Sequence, residues 1–121
     1  MKIYNPVLVL SELHISSNLD RYRKDLYNRS GIYGIINLTN GKQYIGSAAN
    51  LGIRLKEHII GSKTNVPLSL AIAKYGLSKF VFVVYEFSPY LIPQILELET
   101  AYITSVPSYM LYNIKLSGTS M

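Results

Sequence analysis

The chain contains no cysteine. That excludes disulfides, thiolate metal sites and thiol nucleophilic catalysis together. Its two histidines, His14 and His58, lie far apart in sequence, so a zinc site built from histidine alone is not expected. Charged residues make up only 16% of the 121 positions. No apolar run reaches the ~18 residues a membrane span requires. Pro6 to Leu10 is apolar but too short for a secretory core segment. There is no internal repeat and no low-complexity stretch. What is present is enough apolar material, 49%, for one compact domain with a real core. Twelve Lys and Arg against seven Asp and Glu leave a net charge of +5. A basic balance on a small domain points to an anionic partner, most simply nucleic acid, although ordinary surface charge gives the same number.

The stretch from Gly31 to His58 organises the rest. Two strand-like runs flank Asn40-Gly41, a strong hairpin signal. With Asn40 and Gly41 as the central turn residues, Thr39 pairs with Lys42 and Tyr44 faces Asn37. Strand side chains alternate, so Tyr33, Ile35 and Asn37 share a face with Tyr44. Gly46, two residues after Tyr44, is expected to leave room for a ligand against the sheet.

Before the hairpin, Val7 to Leu10 reads as an extended or edge strand. Asn18 is a candidate N-cap for a helix from Leu19 to Asn28, with Leu19, Tyr22, Leu26 and Tyr27 on its apolar stripe. Arg21, Arg23, Lys24 and Arg29 lie on the other face, either as a solvated surface or against a phosphate backbone. Ser30-Gly31 ends this helix. After Gly46-Ser47, Asn50 is a candidate N-cap for a helix from Leu51 to Ile60, stopped by Gly61. Leu51, Leu55 and Ile59 form its core stripe, with Arg54 and His58 along one flank. A second helix is expected from Pro67 to Tyr75, closed by Gly76. Phe80 to Phe87 reads as a strand covered on both faces. A third helix is expected from Ile92 to Thr104, with Pro93 in its first turn. Met110 to Leu116 is expected to add a short strand, and 117–121 has linker composition.

The third helix carries an oddity. Its apolar stripe is Ile92, Ile95, Leu96, Tyr102 and Ile103, and Glu99 falls on that stripe. An inward carboxylate is costly unless it is paired, hydrogen-bonded or metal-bound. Together, two tyrosines, an arginine, a histidine and this glutamate lack the parts for acyl transfer or glycoside hydrolysis. They suit phosphodiester hydrolysis. One hard carboxylate can hold a Mg2+ that also takes phosphate oxygens and water. Arginine offers a planar fork to a charged phosphate, and a phenol or imidazole can take a proton from water. A phenol, with its usual pKa of about 10, would need a nearby cation or metal to act as a base near neutrality. Each residue also has a plainer reading: the tyrosines as sheet packing, Arg54 as the ion-pair partner of Glu99, His58 on a helix surface.

Gly31-Ile32-Tyr33 followed by Tyr44-Ile45-Gly46 and Arg54 resembles the GIY-YIG nuclease family. Asn40-Gly41, Gly46-Ser47, the Arg54/His58 pair and Glu99-Thr100-Ala101-Tyr102-Ile103 extend the resemblance over about residues 30–114. Within the family it looks most like the intron-encoded homing endonucleases of phage and fungal mitochondria. The resemblance implies an α+β fold with a small three-stranded antiparallel sheet flanked by helices. It implies an N-terminal extension with a helix at 1–30, a catalytic domain at 31–116 and a linker tail at 117–121 leading to a separate DNA-binding region. It implies DNA cleavage with one Mg2+ or Mn2+ held by Glu99. Tyr44 takes the place of the general base or water-orienting group, Tyr33 supports it, Arg54 stabilises the phosphate, and His58 is the histidine a turn beyond. Gly46, Ser47 and Asn113 are carried over as residues on the substrate side of the site. One departure is Asn65, which falls where some phage relatives have histidine. The implied setting is mitochondrial, with phage or bacterial cytoplasm as the alternative, and the implied state is a monomer with no membrane partner. The competing reading is a non-catalytic binder of intron RNA, such as a splicing maturase. A purely structural interaction domain would leave the inward Glu99 without a reason.

Overall fold

The structure, a computed structural model, describes residues 5–60 and 65–113. Four strands form one antiparallel sheet in the order β1-β4-β2-β3. They are β1 (Leu8–Leu10), β2 (Gly31–Asn37), β3 (Gln43–Ala48) and β4 (Phe80–Phe87). The helices are α1 (Ser16–Leu26), α2 (Leu51–Ile59), α3 (Val66–Tyr75) and α4 (Gln94–Thr104). The expected sheet had three strands. The fourth is β1, whose Leu8 to Leu10 pair with Val84 to Phe82 on the outer side of β4.

The sheet is buried on both faces because β2 and β4 are apolar at nearly every position. On one face Tyr33, Ile35, Ala48, Phe80, Phe82 and Val84 pack with Leu26, Leu51, Leu55 and Leu68 from α1, α2 and α3. On the other, Ile32, Ile45, Val81, Val83 and Tyr85 pack with Ile95 and Tyr102 of α4. No helix among the described residues is long and apolar enough to cross a membrane.

The hairpin register differs from the expectation by two residues. Tyr44 pairs with Ile35 and Gln43 with Ile36. The turn is set by Asn37 rather than by Asn40-Gly41. The Asn37 carbonyl accepts from Gly41 N–H at 2.7 Å, and its side-chain oxygen accepts from Thr39 N–H at 2.9 Å. This local side-chain bond offers the backbone an alternative to another rung of the ladder. Gly41 supplies the positive φ, 79°, that the longer loop needs. A slip of two leaves every side chain on its expected face, so Tyr33 and Tyr44 still stand together.

Asn50 caps α2 as expected, its Oδ1 accepting from Ile53 N–H at 3.1 Å. Asn65 does the same for α3, accepting from Leu68 N–H at 2.8 Å. The cap expected at Asn18 is not formed. α1 starts at Ser16, with Ile15 at the N-cap position and no side-chain cap. Tyr27, expected on the apolar stripe of α1, is exposed. In α4 the stripe is narrower than its sequence pattern implies. Ile95 and Tyr102 are buried, but Ile92 and Leu96 face solvent. The helix begins only at Gln94, which takes Ile92 out of its periodicity. At the C-terminal end, Ser108–Met110 form a 3-10 turn, and Leu111 makes a single parallel bridge to Gln43 in place of a regular strand start. Gly61 and residues 114–121, including the expected linker, lie outside the described residues.

Candidate active site

Tyr33 lies on the central strand β2 and is fully buried, its ring stacked on Phe82 at 5.2 Å and 8°. Its phenol tip runs over Gly46, the residue it faces on β3. A Cβ at position 46 would come within 2.7 Å of the Tyr33 hydroxyl. The space expected at Gly46 for a ligand is therefore filled by Tyr33 itself.

The Tyr33 hydroxyl meets His58 Nε2 at 2.7 Å. His58 is a turn beyond Arg54 on α2 and is buried, not on the helix surface. Burial and the neighbouring Arg54 charge lower its pKa to about 4, so the imidazole is neutral at pH 7. Burial, together with the nearby Tyr44, pushes the Tyr33 phenol well above its ordinary value, though Arg54 opposes the shift. Tyr33 is therefore the donor and Nε2 the acceptor, which puts the imidazole proton on Nδ1. The Tyr44 ring closes the cluster, 5.2 Å from His58 and 6.2 Å from Tyr33.

Tyr44, Arg54 and Glu99 form the accessible part. Tyr44 is half-buried at the outer strand β3. Burial raises its pKa, and the Glu99 carboxylate raises it further, whereas Arg54 and a hydrogen bond with Tyr33 pull it down. The three groups thus share one electrostatic neighbourhood. Arg54 is half-exposed; its Nε bonds Glu57 Oε1 at 3.0 Å, and its guanidinium also hydrogen-bonds the Tyr33 hydroxyl, which ties the arginine to the buried pair. Glu57 was not singled out from the sequence, although its i, i+3 spacing from Arg54 was readable.

Glu99 comes from the opposite layer. α4 covers the face of Ile32 and Ile45, not that of the two tyrosines. Its partner there is Ser47, whose hydroxyl donates to Glu99 Oε1 at 2.5 Å. β3 is the edge strand of the sheet. The carboxylate therefore acts past the rim of β3 on Tyr44, and the site straddles the sheet edge. Among the described residues the ion pairs are Asp20–Arg23 and Arg54–Glu57, so the plainer reading of an Arg54–Glu99 pair is not what forms.

Asn113 braces this rim. Its Oδ1 accepts from Ile45 N–H at 3.0 Å and its Nδ2 donates to Ile45 O at 2.8 Å. The amide takes the place of a neighbouring strand at the open edge. Both of its polar atoms are engaged with the backbone between Tyr44 and Gly46. A second support went unnoticed in the sequence. Tyr85 OH donates to Gln43 Oε1 at 2.6 Å, passing over Gly34 of the strand between them. A Cβ at Gly34 would lie 2.9 Å from both partners, so the glycine in mid-strand was the available signal.

Among the described residues no three His, Cys, Asp or Glu side chains converge as a cation cage. Glu99 alone, with one oxygen held by Ser47, fits a hard cation that takes its remaining ligands from water and phosphate.

Residues 29–113 match the GIY-YIG catalytic domain family. The chain is 38% identical over 120 residues to a probable intron-encoded endonuclease 1 of Neurospora crassa, covering 95% of this chain and 40% of the relative. A second N. crassa protein, the probable intron-encoded endonuclease bI1, is 35% identical over 113 residues, covering 87% of this chain and 25% of the relative. The chain thus spans less than half the length of these curated relatives. Among solved structures, the catalytic domain of homing endonuclease I-TevI superposes with a TM-score of 0.62 at 31% identity, covering 71% of this chain and 98% of that one. A mutant form of the same catalytic domain gives 0.63 at 30%, covering 72% and 94%. The chain belongs to the GIY-YIG nuclease family and holds its catalytic domain.

Proposed function

We propose that this domain is a divalent-metal-dependent DNA endonuclease that hydrolyses phosphodiesters at the rim of β3. One observation supports this reading above the rest: Tyr44, Arg54 and Glu99, from three separate elements, share an electrostatic neighbourhood at the protein surface, backed by a buried Tyr33–His58 pair. The Arg54 fork binds the scissile phosphate and stabilises the charge that grows on it. Glu99, steadied by Ser47, would hold one Mg2+ or Mn2+, which would supply Lewis-acid polarisation of the phosphate. Tyr44 orients the attacking water through its hydroxyl. Its pKa is raised in the free protein, so it acts as a phenol rather than a phenolate unless a cation sits beside it. Tyr33 and His58 are buried behind these groups, so their part is to hold the Tyr44 ring and the Arg54 guanidinium in place.

The names of the N. crassa relatives support an intron-encoded origin. A mitochondrial setting and a monomeric domain belong to the same proposal. Plasmid nicking by the wild-type chain in Mg2+, abolished by EDTA, by Arg54→Ala and by Glu99→Ala, is the expected result. Full nicking by either variant refutes it. RNA binding with no cleavage in Mg2+ or Mn2+ would put a maturase-like binder in its place.

A further inference from the structure

The family match begins at residue 29, so α1 lies outside the catalytic domain proper. The helix is nevertheless clamped to it. Gly52, in the first turn of α2, meets the α1 backbone so closely that a Cβ there would sit 2.4 Å from Arg23 O and 3.0 Å from Tyr27 N. Beside this crossing runs an open groove lined by Arg23, Lys24, Tyr27, Gly52, Ile53 and Lys56. Three of those six are cations and none is an acid. Arg23 is held by the exposed Asp20 at 3.2 Å, but neither Lys24 nor Lys56 enters an ion pair among the described residues. Tyr27 and Ile53 expose apolar area between them, 58% and 46%.

We propose that the α1–α2 groove is a phosphate-binding track for duplex DNA on the flank of the cleavage site. This rests on reading the domain as a DNA nuclease. Arg54 and Lys56 are two residues apart on α2, so they leave the helix on nearly opposite sides. One helix width, about 10 Å, corresponds to about three base steps of ~3.4 Å. A strand whose scissile phosphate lies at Arg54, and which crosses the outer face of α2 past Glu57, would bring later phosphates toward Lys56, Lys24 and Arg23. The Tyr27 hydroxyl adds a neutral donor, and its ring a surface for sugar. None of these groups reads base edges, so the track adds affinity and orientation without sequence choice.

The test is fluorescence anisotropy of the 121-residue chain on a mixed-sequence 24-base-pair DNA duplex, in EDTA, across a salt series. Lys24→Gln/Lys56→Gln is compared with Lys74→Gln/Lys79→Gln, which removes the same charge from exposed lysines elsewhere. The groove variant is expected to bind on the order of tenfold more weakly, with the slope of log affinity against log salt shallower by about two. Each single substitution should remove about one, with thermal midpoints unchanged. Equal losses in both double variants would mean net charge alone and overturn the track, as would no loss in either. A preference for unstructured RNA of the same length, lost in the groove variant, would overturn duplex DNA as the occupant. Plasmid nicking in Mg2+ is followed separately. Wild-type chain that binds with the expected slope yet never nicks would end the nuclease reading and leave the groove standing.

Discussion

The Tyr33 hydroxyl donates to His58 Nε2 across 2.7 Å, with both side chains buried. Tyr33→Phe keeps the ring over Gly46 and strips the bond, leaving a buried imidazole nitrogen without that donor. The expected loss is roughly 1–3 kcal/mol of stability, read from denaturant unfolding. Nicking should slow by about one to two orders of magnitude through kcat, because a displaced Tyr44 misorients water. KM should barely move. A rise in KM at constant kcat would show that Tyr33 contacts substrate after all.

The same cluster predicts a pH dependence. Below pH 6.5 the unfolded chain takes a proton at His58 that the folded chain, which buries the imidazole and sets Arg54 close by, refuses until about pH 4. The unfolded state then binds more protons, so stability is complete above pH 6.5 and falls as pH drops toward 4. The contribution of this one group is at most roughly 3 kcal/mol. His58→Gln should flatten the unfolding free energy over that window. An unchanged slope in the variant would mean that other groups carry it.

Ser47→Ala removes the hydroxyl that fixes Glu99 Oε1. Partners that orient a ligating carboxylate typically influence metal affinity by ten- to a hundredfold. The Mg2+ concentration for half-maximal nicking should rise by about that factor, while nicking at saturating Mg2+ stays near wild type. Loss of activity that added Mg2+ does not restore would assign Ser47 to the chemistry instead.

Asn113→Ala frees the Ile45 backbone at the sheet edge, removing two hydrogen bonds worth about 1 kcal/mol each. Amide hydrogen exchange at Ile45 should quicken, and nicking should fall with it. Unchanged exchange at Ile45 would contradict the bracing role.

Much of this was legible in the chain. The strand Phe80–Phe87 and the caps at Asn50 and Gly76 follow local chemistry that nothing distant overrides. Elsewhere tertiary context won. Asn18 has cap chemistry, but α1 had already started at Ser16. Ile92 and Leu96 look like core residues, yet α4 meets the sheet along the narrower line of Ile95 and Tyr102. Asn40-Gly41 is the stronger turn signal, but the buried Asn37, whose amide donates to Tyr112 OH at 3.1 Å, holds the chain two residues earlier. The candidate residues can be named together from the sequence. Their placement on either side of the rim of β3 cannot, because no local pattern relates a glutamate on one layer to a tyrosine on the other.

The Tyr33 ring occupying the missing side chain of Gly46 ties the two tripeptides into a single interlocking part. The number of residues between them is then secondary. A hairpin with a longer or shorter tip should serve as well, provided that tyrosine still lands on that glycine. Swapping tips of different lengths while keeping the rungs aligned is accordingly the variation this architecture can absorb, and a single alanine at 46 is one it cannot.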